Sequence, residues 1–554
     1  MRNQFINRQL RFANCCAIFV NVSVKAKMTM RTTELRKLPV GIQTFSKIRK
    51  EGYVYVDKTD LVWSLANGTN QYNYLSRPRR FGKSLLVTTL QSYFEGRKDL
   101  FEGLKIMDME TDWQARPVIR LDMSQAGESL PKLNSYLNQI FGDYEDKFGI
   151  KVAEGTEFQT RLHNIIATAH KSSGQQVAVL IDEYDFPLQH SWGTPEHEKC
   201  AATYREVFTV LKADDEHIRF VFITGVAKFT QISLFSALNN LVNISFKPEY
   251  ESICGISQQE MVCDFEPEIE GFALRNKCTK EEAIKKLKEN YDGYHFSGEC
   301  EKDIYNPFSL INALENKKIS SYWAASGAST LIAKIVKDAE IRLREFDGCR
   351  VFANNFETSD IGVGGPEVFL YQSGYLTIKG YKNDVYTLGF PNKEVRQALY
   401  ESVLPVLSMR VDNNTQNAQG ALRYDLLEGN IAEAMVSLKA LIADVPYSNK
   451  KLASMDMEER YRLVISTILN AIGFNVEVEH MLSTGRIDIV ASASEYTYVM
   501  ELKLQKNGGL ASAVKQIKGN NYLTPFCCAG RKVIGIAIEL DDLGRGMTGW
   551  EQVD

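Results

Sequence analysis

The sequence predicts an α/β protein with a parallel sheet and covering helices, a helical and winged-helix-like middle region, and a smaller α/β domain at the C-terminus. Three observations support this class. Short apolar, β-branched runs alternate with helical stretches over residues 32–252, as in a parallel sheet. Residues 253–350 lack such runs and have the pattern of helices. From residue 449 onward, strand-like and helical segments alternate again.

Four runs define the first sheet. "YNYLSRP" (72–78), "PVIRLDMS" (117–124), "QVAVLIDEYD" (176–185) and "RFVFITGVAKF" (219–229) each predict a buried strand. "KSLLVTTLQSYFEG" predicts a helix directly after the first of them. Because a parallel strand pair needs a long crossover connection, the helical stretches between these runs favour a parallel arrangement.

The middle of the chain carries a helix and a hairpin pattern. "TKEEAIKKLKENYDGYHF" (279–296) begins with a Thr cap followed by Glu, which is a helix-start signal. Residues 367–407 have the pattern of a helix, a hairpin and a second helix. The hairpin would pair Tyr375–Ile378 with Val385–Leu388 around the turn residues "KGYKND". This order predicts a winged-helix-like module.

The C-terminal block predicts the order α-β-β-β-α-β. "MDMEERYRLVISTILNAIGF" is an amphipathic helix that ends at Gly473, and "NVEVEHML", "GRIDIVASA" and "YTYVMELKL" follow as strands. "GLASAVKQIKGNNYL" is helical, and "KVIGIAIEL" (532–540) is the closing strand.

A chain of 554 residues is too long for one hydrophobic core, so we expect several domains. The predicted bounds are 1–31 for an N-terminal extension, 32–252 for the sheet domain, 253–350 for a helical lid-like region, 351–448 for the winged-helix-like and helical region, and 449–554 for the last domain.

Composition and charge predict a cytoplasmic protein without a membrane partner. The net charge is −4, so no overall basic field points to nucleic acid, although a local groove is enough to bind it. The ten cysteines show no metal-ligand spacing, which suits a reducing compartment.

"FANCCAIFVNVSV" loosely imitates a signal peptide, but Asn14 and Asn21 interrupt its apolar run. A dispensable extension ahead of Met28 or Met30 is the better interpretation.

The stretch "RPRRFGKS" (77–84) ends like a phosphate-binding loop. Such a loop directs backbone N–H groups and a helix N-terminus at the phosphates, and its Lys and its Ser or Thr hydroxyl contact phosphate oxygens and Mg²⁺. Gly82, Lys83 and Ser84 supply these groups at a predicted strand-to-helix junction. Arg77 stands where the motif has its first glycine. The tripeptide alone is a weak signal.

Two further strand ends complete the pattern. "VAVLIDEYD" carries a buried strand into Asp182 and Glu183. An acidic residue at this position anchors the Mg²⁺ shell in P-loop ATPases, and the next Glu polarises the attacking water. The alternative is that these residues only start a helix. Thr224 ends another strand and is a candidate sensor of the γ-phosphate. The three parts together predict a P-loop ATPase with ATP and Mg²⁺ as cofactors.

The basic residues Arg77, Arg79 and Arg80 have two interpretations. They either contact phosphates directly or are solvated loop residues. The guanidinium fork matches phosphate geometry, so phosphate contact is favoured.

The last block carries a second candidate site. Asp488 lies inside one predicted strand, and Glu501 and Lys503 lie two residues apart on the next, so strand periodicity points them the same way. Two carboxylates can hold Mg²⁺, and a lysine can position or deprotonate a water that attacks a phosphodiester. The apolar surroundings "IDIV" and "VMEL" favour a function, although such charges also occur on exposed strand faces. Further candidate contacts lie on the flanking helices: Glu458, Glu459, Gln516 and Lys518.

With these residues assembled, the chain resembles the bacterial AAA-ATPase-like family with a C-terminal PD-(D/E)XK nuclease-superfamily domain. The matching stretches, which include "LPVGIQTFSKIRKEGYVYVDKTDLV", "LSRPRRFGKSLL", "VLIDEYDFPL", "YDGYHFS" and "GRIDIV…YVMELKL", cover roughly residues 36–540. In this resemblance, Arg at the first loop position is the family form. It implies ATP binding and nuclease-like chemistry at the residues already named: Gly82, Lys83, Ser84, Asp182 and Glu183 for ATP, and Asp488, Glu501 and Lys503 for the nuclease-like site.

These patterns predict an ATP-binding and ATP-hydrolysing protein with a Mg²⁺-dependent nuclease-like domain that acts on DNA, with RNA not excluded. One alternative is a nucleotide-dependent switch or scaffold that binds nucleic acid or a partner without cleaving. A buried Asp488–Lys503 ion pair with no cavity would favour it. Another alternative is that the hairpin reads DNA through Lys379 and Lys382.

Overall fold

The structure is a computed structural model that describes most of the chain beyond the N-terminal residues. The described residues are 36–226, 240–299, 302–323, 346–358, 365–404, 413–443 and 455–553. The predicted N-terminal extension (1–31) and the end of the predicted fourth run after Val226 lie outside them. Among the described residues, every helix is too short or too polar to cross a membrane.

A parallel sheet forms the first part of the fold. Its strands are β1 Tyr72–Ser76, β2 Val118–Asp122, β3 Val177–Asp182, β4 Ile218–Gly225 and β5 Val242–Asn243, in the spatial order β2-β3-β4-β1-β5. The associated helices are α1 Phe45–Lys50, α2 Thr59–Ala66, α3 Lys83–Phe94, α4 Leu130–Phe148, α5 Phe158–Ser173, α6 Phe186–Ser191 and α7 His197–Ala213. All four predicted strands and the helix after the first are therefore confirmed.

The strand ends of this sheet meet at one edge. Every residue of β3 is buried, which explains why its sequence is a continuous apolar run instead of an alternating one. Parallel pairing places Asp122 beside Asp182 and Leu75 beside Thr224. The residues at the carboxyl ends of these strands therefore share the sheet edge at which open α/β folds bind ligands.

Helices and two small sheets follow the parallel sheet. The first part contains α8 Gln258–Asp264, α9 Glu266–Arg275, α10 Lys280–Tyr291 and α11 Pro307–Asn316, with the antiparallel pair β6 Ile256–Ser257 and β7 Ile304–Tyr305. The second part contains β8 Cys349–Phe352, α12 Ala353–Thr358, α13 Pro366–Ser373, β9 Thr377–Lys382, β10 Val385–Gly389 and α14 Lys393–Val403. Thr279 caps α10 in a capping box with Glu282, as its sequence predicts.

The predicted hairpin exists, but its turn is shorter than expected. Strand β9 runs to Lys382 and pairs with β10, so the turn is Asn383-Asp384 and not the whole "KGYKND" stretch. Both turn residues have positive φ values, +51° and +59°, which matches the right-handed twist of a two-residue hairpin. Strand β8 joins the other side of β10, giving the order β8-β10-β9.

The C-terminal part is a mixed sheet packed against helices. After α15 Asn413–Glu428 and α16 Ile431–Ala443 come α17 Met457–Ala471, β11 Asn475–Leu482, β12 Gly485–Ala493, β13 Tyr496–Leu504, α18 Gly509–Gly519, β14 Lys532–Leu540 and β15 Met547–Val553. The spatial order is β11 to β15 in sequence, with β13 and β14 parallel and the other pairs antiparallel. Strand β14 does not close the domain as expected, because β15 pairs with it. The predicted α/β fold class is confirmed.

Candidate functional site

The loop between β1 and α3 turns at Gly82, the residue that precedes the helix. Gly82 has a φ of +92°, in the left-handed region that favours glycine. A Cβ atom there would meet no atom within 4 Å, so backbone conformation and not space requires glycine. The first turn of α3 leaves amide groups without helical partners, and such groups bind phosphate in loops of this kind.

Arg77, for which phosphate contact is the interpretation favoured by the sequence, is buried and does not line the cavity described below. Its side chain is 1% exposed. The guanidinium donates to the carbonyl oxygens of Ser245 at 2.9 Å and Tyr250 at 3.1 Å. It also lies 4.0 Å from the centre of the Phe296 ring. Arg77 therefore ties the loop to the segment that follows the parallel sheet.

Lys83 lies beneath the loop with three oxygen atoms around its amine. Its Nζ donates to the carbonyl oxygens of Arg77 at 3.1 Å and Pro78 at 3.3 Å, and lies 3.4 Å from Oε1 of Glu183. The side chain is buried. Its described partners are therefore backbone oxygens and one carboxylate, and the side chain also lines the cavity described below.

Carboxylates gather at the carboxyl ends of β2 and β3. Burial, and then the charge of Glu183, raise the pKa of Asp182 to about 6, while a hydrogen bond with Ser84 lowers it. Glu183 has a φ of +49°, which is uncommon for a residue with a side chain and clusters at functional sites. Asp122 pairs beside Asp182 and lines the cavity described below, whereas Asp182 is not part of its lining. Asp122 was not predicted as a site residue, although its position at the end of a predicted strand was the available signal.

Thr224, the candidate γ-phosphate sensor, lies near the end of β4 with its hydroxyl bonded within the sheet. Its side chain is buried, and Oγ1 donates to the carbonyl oxygen of Leu75 at 2.9 Å. The hydroxyl is thus used to join β4 to β1, and Thr224 does not line the cavity.

A cavity of about 440 Å³ lies over the loop. The predicted residues that line it are Arg79, Arg80, Gly82, Lys83, Ser84 and Glu183. Residues 39–43 form another wall, and the start of α11 contributes Pro307 and Phe308. The Arg80 guanidinium lies 4.7 Å from the centre of the Phe308 ring. The cavity is therefore bounded by the phosphate-type loop, the strand-end carboxylates and the helical region.

A smaller apolar cavity of about 90 Å³ adjoins the first. Both cavities are lined by Gly82 and Leu85, and the smaller one adds mostly apolar side chains: Ile48, Val54, Tyr55, Val56, Val62, Phe81, Leu86, Ile253, Ile256 and Phe265. Lys58, also in its wall, forms a 2.6 Å ion pair with Glu260 of α8. Polar and apolar volumes thus lie side by side at the start of α3.

The C-terminal domain brings Asp488, Glu501 and Lys503 together as predicted from their spacing. Asp488 lies on β12, and the other two lie on β13. The Nζ of Lys503 is 2.8 Å from Oε1 of Glu501 and 3.9 Å from Oδ2 of Asp488. Glu458 of α17 is also near, with its Oε1 at 3.7 Å from the same nitrogen. Both Asp488 and Glu501 are buried.

Burial and mutual repulsion shape the protonation of this cluster. Burial, and then the charge of Asp488, raise the pKa of Glu501 to about 8. Burial alone lowers the pKa of Lys503, but its hydrogen bond with Glu501 and the surrounding carboxylates raise it overall. Paired titratable groups pushed away from their ordinary pKa values are typical of functional sites, although structural ion pairs produce them too.

Arg462 of α17 is the main residue of this cluster that was not predicted from the sequence. Its Nη1 donates to Oδ1 of Asp488 at 2.8 Å, and its Nη2 lies 3.2 Å from Oε1 of Glu479. The other Asp488 oxygen accepts from the backbone N–H of Leu502 at 2.9 Å. An arginine inside the otherwise apolar stretch "YRLVISTILNA" was the available signal, because a buried guanidinium needs an acidic partner.

The cluster fits a divalent cation through Glu501 more readily than through Asp488. Oε2 of Glu501 is buried without a hydrogen-bond partner in the described part of the chain. Both Asp488 oxygens already accept hydrogen bonds, although a carboxylate has lone pairs for more. No group of three or more His, Cys, Asp or Glu side chains among the described residues is arranged to hold a metal.

The other candidate contacts on the flanking helices are placed differently. Glu458 lies at the cluster and accepts from Asn507 at 3.3 Å. Gln516 of α18 donates to the Tyr522 hydroxyl at 3.1 Å. Lys518 is exposed and Glu459 is half-buried. Glu458 is thus the flanking residue that the structure brings to the predicted carboxylates.

The parallel sheet with its phosphate-type loop and the mixed sheet with its Asp/Glu-x-Lys cluster define an ATPase-like protein with an appended nuclease-like domain. Comparison with known proteins agrees. Residues 39–235 match the family described as "Predicted AAA-ATPase", and residues 456–549 match the PD-(D/E)XK nuclease superfamily. An uncharacterized protein in the vnfD 5' region of Azotobacter chroococcum mcd 1 is 31% identical over 530 residues, which are 93% of this chain and 98% of that protein. The chain therefore belongs to the bacterial AAA-ATPase-like family with a C-terminal PD-(D/E)XK nuclease-superfamily domain.

Solved structures show weaker similarity. The Aeropyrum pernix ORC2 protein in its ADPNP-ADP complexes shares 13% identity over 63% of this chain and 90% of that one, with a TM-score of 0.29. The Aeropyrum pernix ORC1 protein in complex with DNA shares 10% over 63% and 92%, with a TM-score of 0.24. Similarities at TM-scores this low support no inference about function.

Proposed function

We propose that the protein binds and hydrolyses ATP with Mg²⁺ at the loop cavity and that its C-terminal domain is a Mg²⁺-dependent nuclease acting on DNA. The observation that carries the first part is the cavity itself. It combines the start of α3, Lys83 and the strand-end Glu183 in one volume. These are the groups that bind a triphosphate and orient water.

The residues of the cavity divide the work of binding the phosphates. Lys83 exchanges its carbonyl and Glu183 partners for phosphate oxygens, and Arg79 and Arg80 add positive charge at the cavity wall. Ser84 and Asp182 are the residues that would hold the Mg²⁺ bound with ATP. Mg²⁺ neutralises charge on the phosphates. Release of Glu183 from Lys83 frees its carboxylate to orient a water molecule.

The adjoining apolar cavity is the proposed binding site of the adenine base of ATP. Aromatic and aliphatic side chains, among them Tyr55, Phe81 and Leu85, line it directly beside Gly82. A planar base buried between such side chains removes apolar surface from water, which is the usual source of affinity in cofactor pockets. The Lys58–Glu260 ion pair at the same wall connects this part of the site to α8.

The nuclease part of the proposal depends on the cluster of Asp488, Glu501 and Lys503. Glu501 offers a buried acceptor oxygen and Asp488 lies beside it, so these two would hold Mg²⁺. When bound, Mg²⁺ supplies Lewis-acid polarisation and lowers the pKa of water. The amine of Lys503, held by Glu501 at 2.8 Å, is placed to orient water or a phosphate oxygen. DNA is the proposed substrate, with RNA as the other polymer to test.

A second candidate function is a nucleotide-dependent switch or scaffold whose C-terminal domain binds without cleaving. The specific observation that favours it is the pairing of Asp488 with Arg462 at 2.8 Å, together with Lys503 at 3.9 Å. A carboxylate engaged by two cations is less available to a metal. In this function the ATP site keeps its role, and the C-terminal cluster is a structural ion network.

Cleavage assays on the purified full chain separate these functions. Labelled DNA and RNA are incubated with Mg²⁺ or Mn²⁺, with and without ATP, and ATP hydrolysis is followed in parallel. We expect metal-dependent cleavage that Asp488→Ala and Lys503→Ala abolish while ATP hydrolysis persists. Glu183→Gln should abolish hydrolysis only. Absence of cleavage on every substrate, with intact ATP hydrolysis, would favour the switch. Cleavage unchanged in both cluster variants would place any nuclease activity elsewhere.

A further inference from the structure

We propose that Arg462 is a positioning residue that competes with a divalent cation for Asp488 and so sets the cation affinity of the C-terminal site. The inference rests on the proposed metal-dependent function, because it concerns the same carboxylates. It goes beyond that function by assigning control of the site to a residue outside the Asp/Glu-x-Lys pattern.

The contact between Arg462 and Asp488 is buried on both sides. The side chain of Arg462 is 9% exposed and that of Asp488 is 7% exposed, and their N···O distance is 2.8 Å. Charges that attract each other away from water interact more strongly than surface pairs. Little water is therefore available to solvate the two charges when they separate. A cation that binds Asp488 must offset this contact.

Arg462 is anchored from its other side by Glu479. The antiparallel register of β11 with β12 is constant and places Glu479 opposite Asp488, between the pairs Val478–Ile489 and His480–Ile487. Glu479 has a φ of +57°, which is uncommon for a residue with a side chain. Oε1 of Glu479 lies 3.2 Å from Nη2 of Arg462, so the guanidinium contacts two carboxylates on neighbouring strands.

The two candidate metal ligands, Glu501 and Asp488, differ in their hydrogen bonding. Oε2 of Glu501 is buried without a hydrogen-bond partner among the described residues, whereas Asp488 accepts from Arg462 and from the backbone of Leu502. A cation at this position meets an oxygen of Glu501 that has no described hydrogen-bond partner, but it shares Asp488 with a positive guanidinium. The repulsion lowers its affinity, and removing the guanidinium should raise it.

The test measures Mn²⁺ binding to the full chain without nucleotide, by titration calorimetry and by the electron paramagnetic resonance signal of free Mn²⁺. The key variant is Arg462→Met, which keeps the apolar stem and removes the charge. Arg486→Met is the matched control, because Arg486 lies 3.1 Å from the same Glu479 but is half-exposed and has no contact with Asp488 among those described. Each protein is also made with Glu501→Gln to identify binding at this site.

We expect Arg462→Met to bind Mn²⁺ about tenfold more tightly than the wild type, which corresponds to about 1.4 kcal/mol. Arg486→Met should change affinity by less than about twofold, because exposed charges are screened. Glu501→Gln should remove the gain. Mn²⁺ should also raise the melting temperature of Arg462→Met more than that of the wild type, which a purely structural arginine would not produce.

If Arg462→Met fails to fold, Arg462→Lys serves in its place. Lysine cannot bridge Asp488 and Glu479 at once, so we expect an affinity gain of about threefold. One result would overturn the inference and still support the metal site. In it, the wild type and the Arg462 variants bind Mn²⁺ with equal affinity, and Glu501→Gln abolishes binding in all of them. No Mn²⁺ binding sensitive to Glu501→Gln in any variant would overturn both.

Discussion

Replacing Arg77 by methionine separates a structural role of this residue from a phosphate-binding role. The change leaves the buried carbonyl oxygens of Ser245 and Tyr250 without their donor, at about 1–3 kcal/mol each. It also removes a desolvated contact with the Phe296 ring worth about 2 kcal/mol. Relief from burying a charge, which lowers the pKa of Arg77, offsets several kcal/mol of this loss. We expect a net destabilisation of about 3 kcal/mol.

Thermal unfolding and nucleotide titration of the same variant provide the assay. A loss of about 3 kcal/mol lowers the melting temperature of a unit of 150–250 residues by about 6–12 °C. At a temperature where the variant is folded, ATP affinity should stay within about threefold of the wild type. The control Arg80→Met, at an exposed cavity residue, should show the reverse pattern of weak binding and unchanged stability. This account would be refuted if Arg77→Met kept the melting temperature of the wild type but no longer bound ATP. That result would support a direct contact between Arg77 and phosphate.

Three other outcomes follow from single contacts. Glu183→Gln should bind ATP at least as tightly as the wild type, because Lys83 loses its competing carboxylate, while hydrolysis measured by phosphate release falls by about 100-fold or more. Thr224→Val should lower the free energy of unfolding by about 1 kcal/mol through the lost bond to Leu75, with ATP affinity unchanged; weaker ATP binding without loss of stability would support the sensor instead. Burial raises the pKa of Glu394 from 4.5 to about 7, so the folded chain holds a proton that the unfolded chain releases. Stability should therefore fall as pH rises from about 4.5 to 7, and Glu394→Gln should lose that dependence in melting curves recorded from pH 5 to 8.

The fold was largely predictable because its strands are defined by local composition. Buried parallel strands such as Val177–Asp182 are continuous apolar runs, and the C-terminal strands Asn475–Leu482 and Tyr496–Leu504 have the bounds that the sequence indicates. The strand Met547–Val553 was missed because "MTGWEQV" has little apolar content. Its stability comes from pairing with its neighbour, a tertiary interaction that a local pattern does not reveal.

The candidate sites were predictable in their residue types but not in all their contacts. Spacing on strands brings Glu501 and Lys503 together, since residues two apart share a face. The contacts of Arg77 and Thr224 were not predictable, because a buried arginine and an exposed one, or a bonded hydroxyl and a free one, have the same letter in the sequence. Arg462 was missed because its partner Asp488 is distant along the chain and meets it only in the folded domain.

The central claim is that one ATP molecule binds at the loop cavity of each chain. Its most direct test is a calorimetric titration of the intact wild-type protein with ATP in the presence of Mg²⁺, beside the Lys83→Ala variant. Lys83 is buried beneath the loop and paired with Glu183, so its loss removes the cation that meets the phosphates. We predict one site per chain in the wild type and affinity at least 100-fold weaker in the variant. Equal binding by the two proteins would contradict the claim.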